Sequence, residues 1–392
     1  MGCLNATVSP LLIETIQQLI DEEGFPRERV GGAVAELSRL FTKERATLNR
    51  SYLDDQAYAM AYLSYFLPVN LAKIQVLLNE MPAPEVSERF SVLELGSGPG
   101  TGILAVLDWW HQRESPHTLS VTAVDSSSRA LRQARRLWDR HCQVINSQEA
   151  SLQTYVGDLE QRGWLEQVRQ KRPFDLIILA NCLNEIFADA CDPIMARTAF
   201  VNKSLAVLAP HGTMMIVEPA LRETSRALHQ VRDQLLQEKR CTIYSPCLHE
   251  SNCPALVKPH DWCHEERIWE PPSTIKVIDK EVGFIKDALK FSYLLLCKDG
   301  KTIVERRPDV YRVVSELREL KGEKRAWLCN EQGRQEVGRQ NRLASSHNQA
   351  FDQWHRGAIV QIERIVRKER GGKVSVLRRI EHDAAVQIIR SV

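Results

Sequence analysis

The sequence lacks the features that mark membrane-spanning and secreted proteins. It contains no run of eighteen apolar residues, so we expect no transmembrane helix. Its beginning lacks a basic segment followed by an apolar one, so we expect no secretory signal. Ten cysteines without such a signal indicate a reducing compartment, where clustered thiols bind metal more often than they form disulfides. The sequence therefore predicts a cytoplasmic protein with no membrane partner.

Paired carboxylates and an open set of metal ligands are also missing, which gives no support to a metal-dependent hydrolase or redox enzyme. The 392 residues present are enough for two or three domains with a sizeable core. The net charge of +2 conceals an asymmetry, because residues 280–392 hold 24 Lys and Arg against 15 Asp and Glu. This positive excess predicts a polyanionic partner such as nucleic acid, although the same residues can also simply solvate the surface.

The most informative stretch runs from Val92 to Gly102 and predicts a buried strand, a glycine-rich turn and a helix. In α/β folds this unit presents backbone amides to a nucleotide-like ligand. The spacing is not that of a dinucleotide site, because neither Gly96 nor Gly98 begins a Gly-x-Gly-x-x-Gly pattern. The stretch instead resembles motif I of the S-adenosylmethionine-dependent methyltransferases. That resemblance implies cofactor contacts at Glu94, Gly96, Ser97, Gly98 and Gly100. A turn that merely needs glycine is the alternative.

Further strands follow at regular intervals. A strand over residues 119–124 ends at Asp125, whose carboxylate can accept hydrogen bonds from both ribose hydroxyls, or can be a solvated turn residue. Asp158 stands where methyltransferases often contact the adenine amino group, although Gly-Asp is also an ordinary turn pair. A strand over 174–180 leads into Asn181, where methyltransferases keep catalytic or cofactor-facing groups. With a fifth strand over 212–219, the alternation between about 90 and 240 predicts a parallel, doubly wound sheet.

The chain divides into four regions: a helical region (1–88), the sheet domain (89–240), a cysteine-rich loop (241–272) and a basic C-terminal domain (273–392). In the first region Tyr58, Tyr62, Tyr65 and Phe66 form an aromatic stripe that we assign to the core. Pro68 is expected to break or kink that helix.

The cysteine-rich loop carries Cys247, Cys253 and Cys263 among prolines and histidines. A segment of this composition cannot build a regular core and needs a staple. Its spacing is not the Cys-x2-Cys knuckle of ordinary zinc ribbons. Thiolates in an irregular loop, with one more ligand from far away, suit an iron–sulfur cluster or a structural zinc, and free buried cysteines are the alternative.

The chain resembles the methyltransferase-like proteins of the mitochondrial small ribosomal subunit and their bacterial relatives. The shared features are Tyr62-Leu63 with Pro68, residues 93–100, Asn184-Glu185, Val217-Glu218-Pro219 and the Pro-Cys…Cys-Pro…Trp-Cys-His signature of the loop. The resemblance implies a Rossmann-like class I methyltransferase sheet (fold class α/β) and a C-terminal, largely β, metal-stapled domain. It also implies the small ribosomal subunit and its rRNA as partners.

In that family a fourth cysteine joins the three of the loop in what resembles a four-iron four-sulfur site. The resemblance assigns this role to Cys329, so that the implied ligands are Cys247, Cys253, Cys263 and Cys329. If His264 or His249 replaces Cys329, a Cys3His zinc site confined to the loop results. Two departures from the family are Leu317, where a proline is common, and the terminal stretch 353–358, which lacks an expected aspartate.

No acceptor motif identifies the catalytic residues, which stay unknown. The segment after the fourth strand has no proline pair of the kind seen in adenine amino-methyltransferases, and Pro246-Cys247 lies after the fifth strand. Asn184 and Glu185 can face an acceptor, or Glu185 can cap a helix. The sequence thus favours an S-adenosylmethionine-binding, metal-containing assembly factor of the small subunit over an active methyltransferase on ribosomal RNA or protein.

Overall fold

The computed structural model describes residues 8–48, 52–86, 88–171, 173–370 and 373–391. Its first part is helical. The helices are α1 (Pro10–Glu22), α2 (Arg27–Thr42), α3 (Gln56–Ala61) and α4 (Leu67–Glu80), with a single π-turn at Tyr62–Phe66 between the last two. Their apolar faces pack on one side of the sheet domain in a shared core.

Pro68 does not end the helix. It occupies the first turn of α4, and the preceding π-turn lets the helical path continue from Gln56 to Glu80. Among the described residues, this 25-residue stretch is the one helix with the length and apolar composition of a membrane span. Since 83% of its apolar window is buried inside the protein, it serves as a helix of the core.

The first sheet has eight strands: β1 (Arg89–Leu95), β2 (Thr118–Asp125), β3 (Ala150–Val156), β4 (Phe174–Ala180), β5 (Leu208–Pro219), β6 (Thr242–Ser245), β7 (Glu265–Ile268) and β8 (Ala288–Cys297). They lie in the order β3-β2-β1-β4-β5-β8-β6, and β7 pairs with β8. Strands β1 to β5 are parallel, and β8 runs antiparallel to β5. The predicted α/β sheet is confirmed, and β8 from the region 273–392 completes it.

Helices cover both faces of this sheet. Helices α5 (Thr101–Gln112) and α6 (Ser128–Val144) lie on the face that also carries the N-terminal helices. Helices α7 (Gly163–Val168), α8 (Pro193–Leu205) and α9 (Arg222–Gln237) enclose a second core on the opposite face. Helix α10 (Ser273–Val282) precedes β8 and contacts α2. Because both faces are covered, the central strands are mostly apolar, and Glu94 of β1 and Glu218 of β5 are buried exceptions.

The second sheet is formed by the C-terminal region. Its strands are β9 (Val310–Val313), β10 (Arg318–Leu320), β11 (Glu323–Asn330), β12 (Gly333–Gln340), β13 (Ile359–Ile362), β14 (Val366–Arg370), β15 (Lys373–Arg379) and β16 (Val386–Arg390). The order is β14-β15-β12-β11-β9-β13-β16, with β10 beside β11. A separate small core that includes Phe351 and Trp354 fills one side. The region is largely β, as the sequence predicts.

A buried polar network joins the two sheets. Arg312, on β9, donates to Glu265 Oε2 at 2.6 Å and to the Tyr293 hydroxyl at 2.8 Å. Tyr293 in turn donates to Glu80 at 2.5 Å, and Arg267 donates to the other oxygen of Glu80 at 2.9 Å. All five residues are buried, so the charges are satisfied by one another and not by water. The joint thus connects α4, β7, β8 and β9.

Candidate functional site

A cavity of about 540 Å³ lies at the carboxyl edge of the first sheet. The strand order reverses there. From β1 the chain continues outward on one side through β2 and β3, and then crosses to the other side, where β4 and β5 lie. Open α/β sheets bind their ligands at this switch point. The walls include most of the sequence-predicted cofactor residues: Gly96, Ser97, Gly98, Asp125, Asp158 and Asn181.

The glycine loop and Asp125 are fixed to each other. Gly96 has φ of 74°, and a Cβ atom there would lie 2.6 Å from Cys182 Cβ, so only glycine fits. The Gly98 amide donates to Asp125 Oδ2 at 2.8 Å, and the Ser127 amide donates to Oδ1 at 2.8 Å. Burial raises the pKa of Asp125, and the backbone hydrogen bonds oppose that rise. The carboxylate is therefore held in place beside the loop, at the wall of the cavity.

Glu94 and Gly100 do not line the cavity. Glu94 is fully buried, and its two oxygens accept from the Gly102 amide at 2.7 Å and from the Ile103 amide at 2.9 Å. These amides belong to the first turn of α5 and have no acceptor within the helix, so Glu94 caps the helix that follows the loop. Burial raises the pKa of Glu94 to about 8, and the two amides act in the opposite direction. The position of Glu94 supports a role in shaping the loop from behind.

The segment after β4 forms another wall. Asn181 has φ of 58°, and its carbonyl oxygen accepts from Asn184 Nδ2 at 3.0 Å. The Asn184 amide donates to the buried Glu218 at 3.3 Å, and Arg197 donates to the Asn184 carbonyl at 2.8 Å. Burial raises the pKa of Glu218 to about 8. Asn184 and Glu185 both line the cavity, so they face the space where an acceptor would enter.

Sequence reasoning missed the contribution of the N-terminal helices. Tyr52, Tyr62, Tyr65 and Phe66 line the cavity, although the stripe to which three of them belong was assigned to the core. Tyr65 is 2% exposed and donates to Asp279 at 2.6 Å. The Tyr62 hydroxyl lies 3.3 Å from Thr101 Oγ1 at the start of α5. Helical spacing predicts the same buried face whether the stripe lies wholly in the core or borders a cavity at its edge. It therefore cannot distinguish the two.

Cations also line this cavity. They are Arg45, Lys73, Lys286 and Lys290. Arg45 donates to the side chain of Asn184. Burial lowers the pKa of Lys73 to about 7, and the nearby charge of Lys286 lowers it further. No spacing pattern connects these residues, because they come from parts of the chain that are far apart in sequence.

A second, smaller cavity of about 40 Å³ lies between the two sheets. All four cysteines proposed as ligands line it. Cys247, Cys253 and Cys263 come from the loop, and Cys329 comes from β11. The neighbouring Leu328 belongs to the C-terminal core, so the alternation of the strand turns Cys329 toward the loop. His249 Nε2 lies 3.6 Å from Cys329 Sγ. Within the described ranges, no group of three or more His, Cys, Asp or Glu has metal-holding geometry.

Two arginines of α9 organise the cysteine loop. Arg226 donates to four of its carbonyls, those of Ala255, Leu256, Lys258 and Asp261, at 2.7–3.2 Å. The fully buried Arg232 donates to the carbonyls of His249 at 2.6 Å and Ser251 at 2.9 Å. Carbonyls of an irregular loop would otherwise be left unpaired. The loop is thus held by hydrogen bonds that sequence reasoning did not foresee.

The chemistry of the small cavity fits a soft metal centre. Burial raises the pKa of Cys263 to about 11 and also raises that of Cys253 and Cys329, and in each case a neighbouring thiolate adds to the rise. A cation bound between these thiols would oppose that repulsion and stabilise their thiolate forms. Arg334 and Arg356 also line the cavity. By contrast, Cys297 is buried in β8 near Thr213, and Cys182 borders the large cavity.

The sequence profile of the family described as mitochondrial small ribosomal subunit Rsm22 matches residues 56–352. No curated protein matches the chain. Solved structures with low similarity include the N-methyltransferase NodS from Bradyrhizobium japonicum, with 16% identity over 64% of this chain and 95% of that chain and a TM-score of 0.31. A methyltransferase from Pyrococcus furiosus has 12% identity over 59% and 83%, with a TM-score of 0.33. The chain spans about half the length of two other matched structures, 46% and 47%.

Proposed function

The chain belongs to the mitochondrial small ribosomal subunit Rsm22 family, and from that premise we propose that it is an S-adenosylmethionine-binding, methyltransferase-like protein that acts on or assembles the small ribosomal subunit. The observation that carries the proposal is the cavity at the switch point, with the Gly96–Gly98 loop and Asp125 in its wall. The glycine loop leaves backbone free to contact the methionine part of the cofactor, and Asp125 stands where ribose hydroxyls can donate.

The cofactor would supply an electrophilic methyl group. Asp125 would hold its ribose, Asp158 its adenine amino group, and the loop of Gly96, Ser97 and Gly98 its methionine part. Asn181 extends the same wall. Glu94 and Gly100 would act behind the loop, through the start of α5.

Photo-cross-linking of labelled S-adenosylmethionine to the full chain tests this assignment. We expect cross-links on peptides that contain residues 96–98 or the neighbourhood of Asp125, with protection by S-adenosylhomocysteine and none by ATP. Cross-links confined to other surfaces, or equal protection by ATP, would overturn it.

The second part of the proposal is a metal centre held by Cys247, Cys253, Cys263 and Cys329, most simply a four-iron four-sulfur cluster. Its support is the meeting of all four thiols at one cavity and the mutual repulsion of their thiolate forms. Soft thiolates suit both iron–sulfur and zinc. Zinc is the alternative, and the short approach of His249 to Cys329 favours it as a specific observation. Either centre would supply a crosslink between the loop and the C-terminal sheet.

Anaerobic purification with quantification of iron, sulfide and zinc, together with an absorption spectrum, distinguishes these centres. Cys329→Ser should lose the metal, whereas Cys297→Ser, a buried thiol of β8, should retain it. Full iron and unchanged colour in the Cys329→Ser protein would leave a site confined to the loop. If quantification of the wild-type protein finds zinc in place of iron, His249→Ala should release it.

Ribosomal RNA is the partner that we propose for the basic C-terminal region, on the strength of its charge excess and of the family. An active methyltransferase is the second candidate, favoured by the way Asn184 and Glu185 face the cavity. Incubation of the protein with labelled S-adenosylmethionine and small-subunit RNA or proteins separates the two. Label in a discrete acceptor supports the enzyme, and its absence with intact cofactor binding supports the assembly factor.

A further inference from the structure

The charges that line the large cavity are divided between its two halves. The acidic residues Asp125, Asp158, Glu160 and Glu185 follow strands β2, β3 and β4. The lysines Lys73, Lys286 and Lys290 come from α4, from the loop before β8 and from β8. One half therefore suits a cationic ligand and the other an anionic one.

The sheet order sets the distance between the halves. From β2 to β8 the strands are β2-β1-β4-β5-β8, which is four steps of about 4.8 Å, or about 19 Å. Phe291, next to Lys290, pairs with Pro219 at the carboxyl end of β5, so Lys290 lies at the same edge of the sheet as Asp125. Lys290 consequently stands well beyond the ribose position, on the side of the sheet away from β2 and β3, and Lys73 and Lys286 line the same cavity.

The three amines of the lysine half have little acidic compensation, and a bound anion would favour the protonated form of Lys73, whose pKa is about 7. Within the described part of the chain, no carboxylate lies within ion-pair distance of Lys73 or Lys286. The charge of Asp279 acts on Lys286, but that carboxylate accepts the Tyr65 hydroxyl at 2.6 Å. Lys290 alone has an acidic partner, Glu266, at 3.3 Å. Lys73 is half-buried, and its amine donates to Asn70 at 3.0 Å. Clustered like charges in a partly buried wall are unfavourable unless an anion binds there.

We propose that Lys73, Lys286 and Lys290 form a subsite for a phosphate group of single-stranded RNA, which places the acceptor strand next to the cofactor in the same cavity. The inference rests on the proposed function and names the substrate class of that site. A phosphodiester is an anion that the amines of three lysines lining one cavity can bind, and the partly exposed ring of Phe66 also lines that cavity. The cofactor's own carboxylate is the other anion that the lysines can reach.

Binding of a short single-stranded oligoribonucleotide to the full chain tests the subsite. The triple variant Lys73→Gln/Lys286→Gln/Lys290→Gln is compared with Lys276→Gln/Lys280→Gln, which removes exposed charges on α10. The slope of log affinity against log salt should become shallower by about 0.7 for each phosphate that the variant no longer neutralises, since each neutralised phosphate of a single strand releases that share of counterions. Affinity for S-adenosylhomocysteine should be unchanged.

A triple variant that behaves like the α10 control would overturn the proposal. Loss of cofactor affinity with unchanged RNA binding would also overturn it, because the lysines would then serve the cofactor's carboxylate. If the wild-type protein binds RNA but no cofactor, the proposed function fails. The RNA affinities of the triple variant and the α10 control still test the lysine subsite in that case. As a measurement independent of folding of the variants, acylation of wild-type lysines is mapped by mass spectrometry. RNA should protect Lys73 and Lys286, and unchanged acylation of both would count against the subsite.

Discussion

Asp125 fixes the glycine loop and borders the cavity at the same time. Its two oxygens accept from the amides of Gly98 and Ser127, which fixes the position of the loop relative to the end of β2. The sequence predicts the place of Asp125 because the carboxyl end of the second strand lies at the ligand-binding edge of an α/β sheet. Glu94 shows what the pattern cannot predict. All residues of β1 after Arg89 are buried, as Glu94 is. The burial pattern of the strand therefore does not distinguish a cofactor contact from a helix cap.

At the same scale we predict that Asp125→Asn weakens S-adenosylmethionine binding. The loss of a charge-assisted hydrogen bond costs ~1.5–3 kcal/mol, which corresponds to roughly a 10- to 150-fold rise in Kd. Equilibrium dialysis measures the change, with Asp139→Asn on the exposed face of α6 as the matched control. Equal affinities for the two variants would remove Asp125 from the site.

The lowered pKa of Lys73 leads us to predict that the stability of the protein depends on pH. Its folded pKa of about 7 lies below the unfolded value of about 10.4, so the unfolded chain binds more protons between these limits. Its contribution to stability therefore rises with pH through that window and is least favourable at pH 7 and below. Lys73→Met should raise the melting temperature near pH 7 and raise it less near pH 10.

Thermal unfolding at the two pH values, with the exposed Lys280→Met as control, measures the difference. An identical gain at both pH values would show that Lys73 carries its charge in the folded protein throughout.

At the scale of elements, local pattern predicts strands better than it predicts the way helices continue. The runs at 119–124 and 174–180 correspond closely to β2 and β4, since buried parallel strands are short and continuously apolar. Pro68 does not break the helix as one of the two predicted outcomes had it, because a π-turn, which has no sequence signature here, accommodates it. The cysteine loop is also held by hydrogen bonds that its composition does not predict, because Arg226 and Arg232, from a helix that precedes it, pair its carbonyls.

We predict that Arg226→Met loosens the cysteine loop more than the exposed Arg222→Met, one turn earlier on α9. Hydrogen bonds to a charged group contribute ~1.5–3 kcal/mol each, and Arg226 makes four. The free energy of unfolding should fall by at least the value of one such bond. Amide hydrogen exchange over residues 247–263 should accelerate, and unchanged exchange in both variants would mean that something else holds the loop.

At the scale of the whole molecule, the two sheets are joined where the sequence offers no pattern. Arg312 reaches Glu265 and Tyr293 across 47 and 19 residues, and Tyr293 reaches Glu80 across 213. Hydrogen bonds between such distant parts of the chain depend on the completed fold, which is why regions could be assigned from composition while their junction could not. The position of Cys329 opposite the loop cysteines was implied by family resemblance, and the strand register of β11 gives it a physical basis.

Removal of one partner from a buried charge network costs about 3–5 kcal/mol, because the remaining charges stay buried without compensation. We therefore expect Arg312→Met to lower the free energy of unfolding by that amount. Arg318 pairs with Glu336 at the surface, so Arg318→Met should change the free energy of unfolding little. Urea denaturation measures both. A similar, small effect in the two variants would indicate that the sheets are joined mainly by other interactions.

Calorimetric titration of S-adenosylmethionine into the full chain tests most directly whether the switch-point cavity is a cofactor site. We predict saturable binding of one cofactor per chain, displaced by S-adenosylhomocysteine and weakened when Gly98 is replaced by valine, because the loop then cannot keep φ of 51° without strain. A flat titration of folded wild-type protein would contradict that assignment.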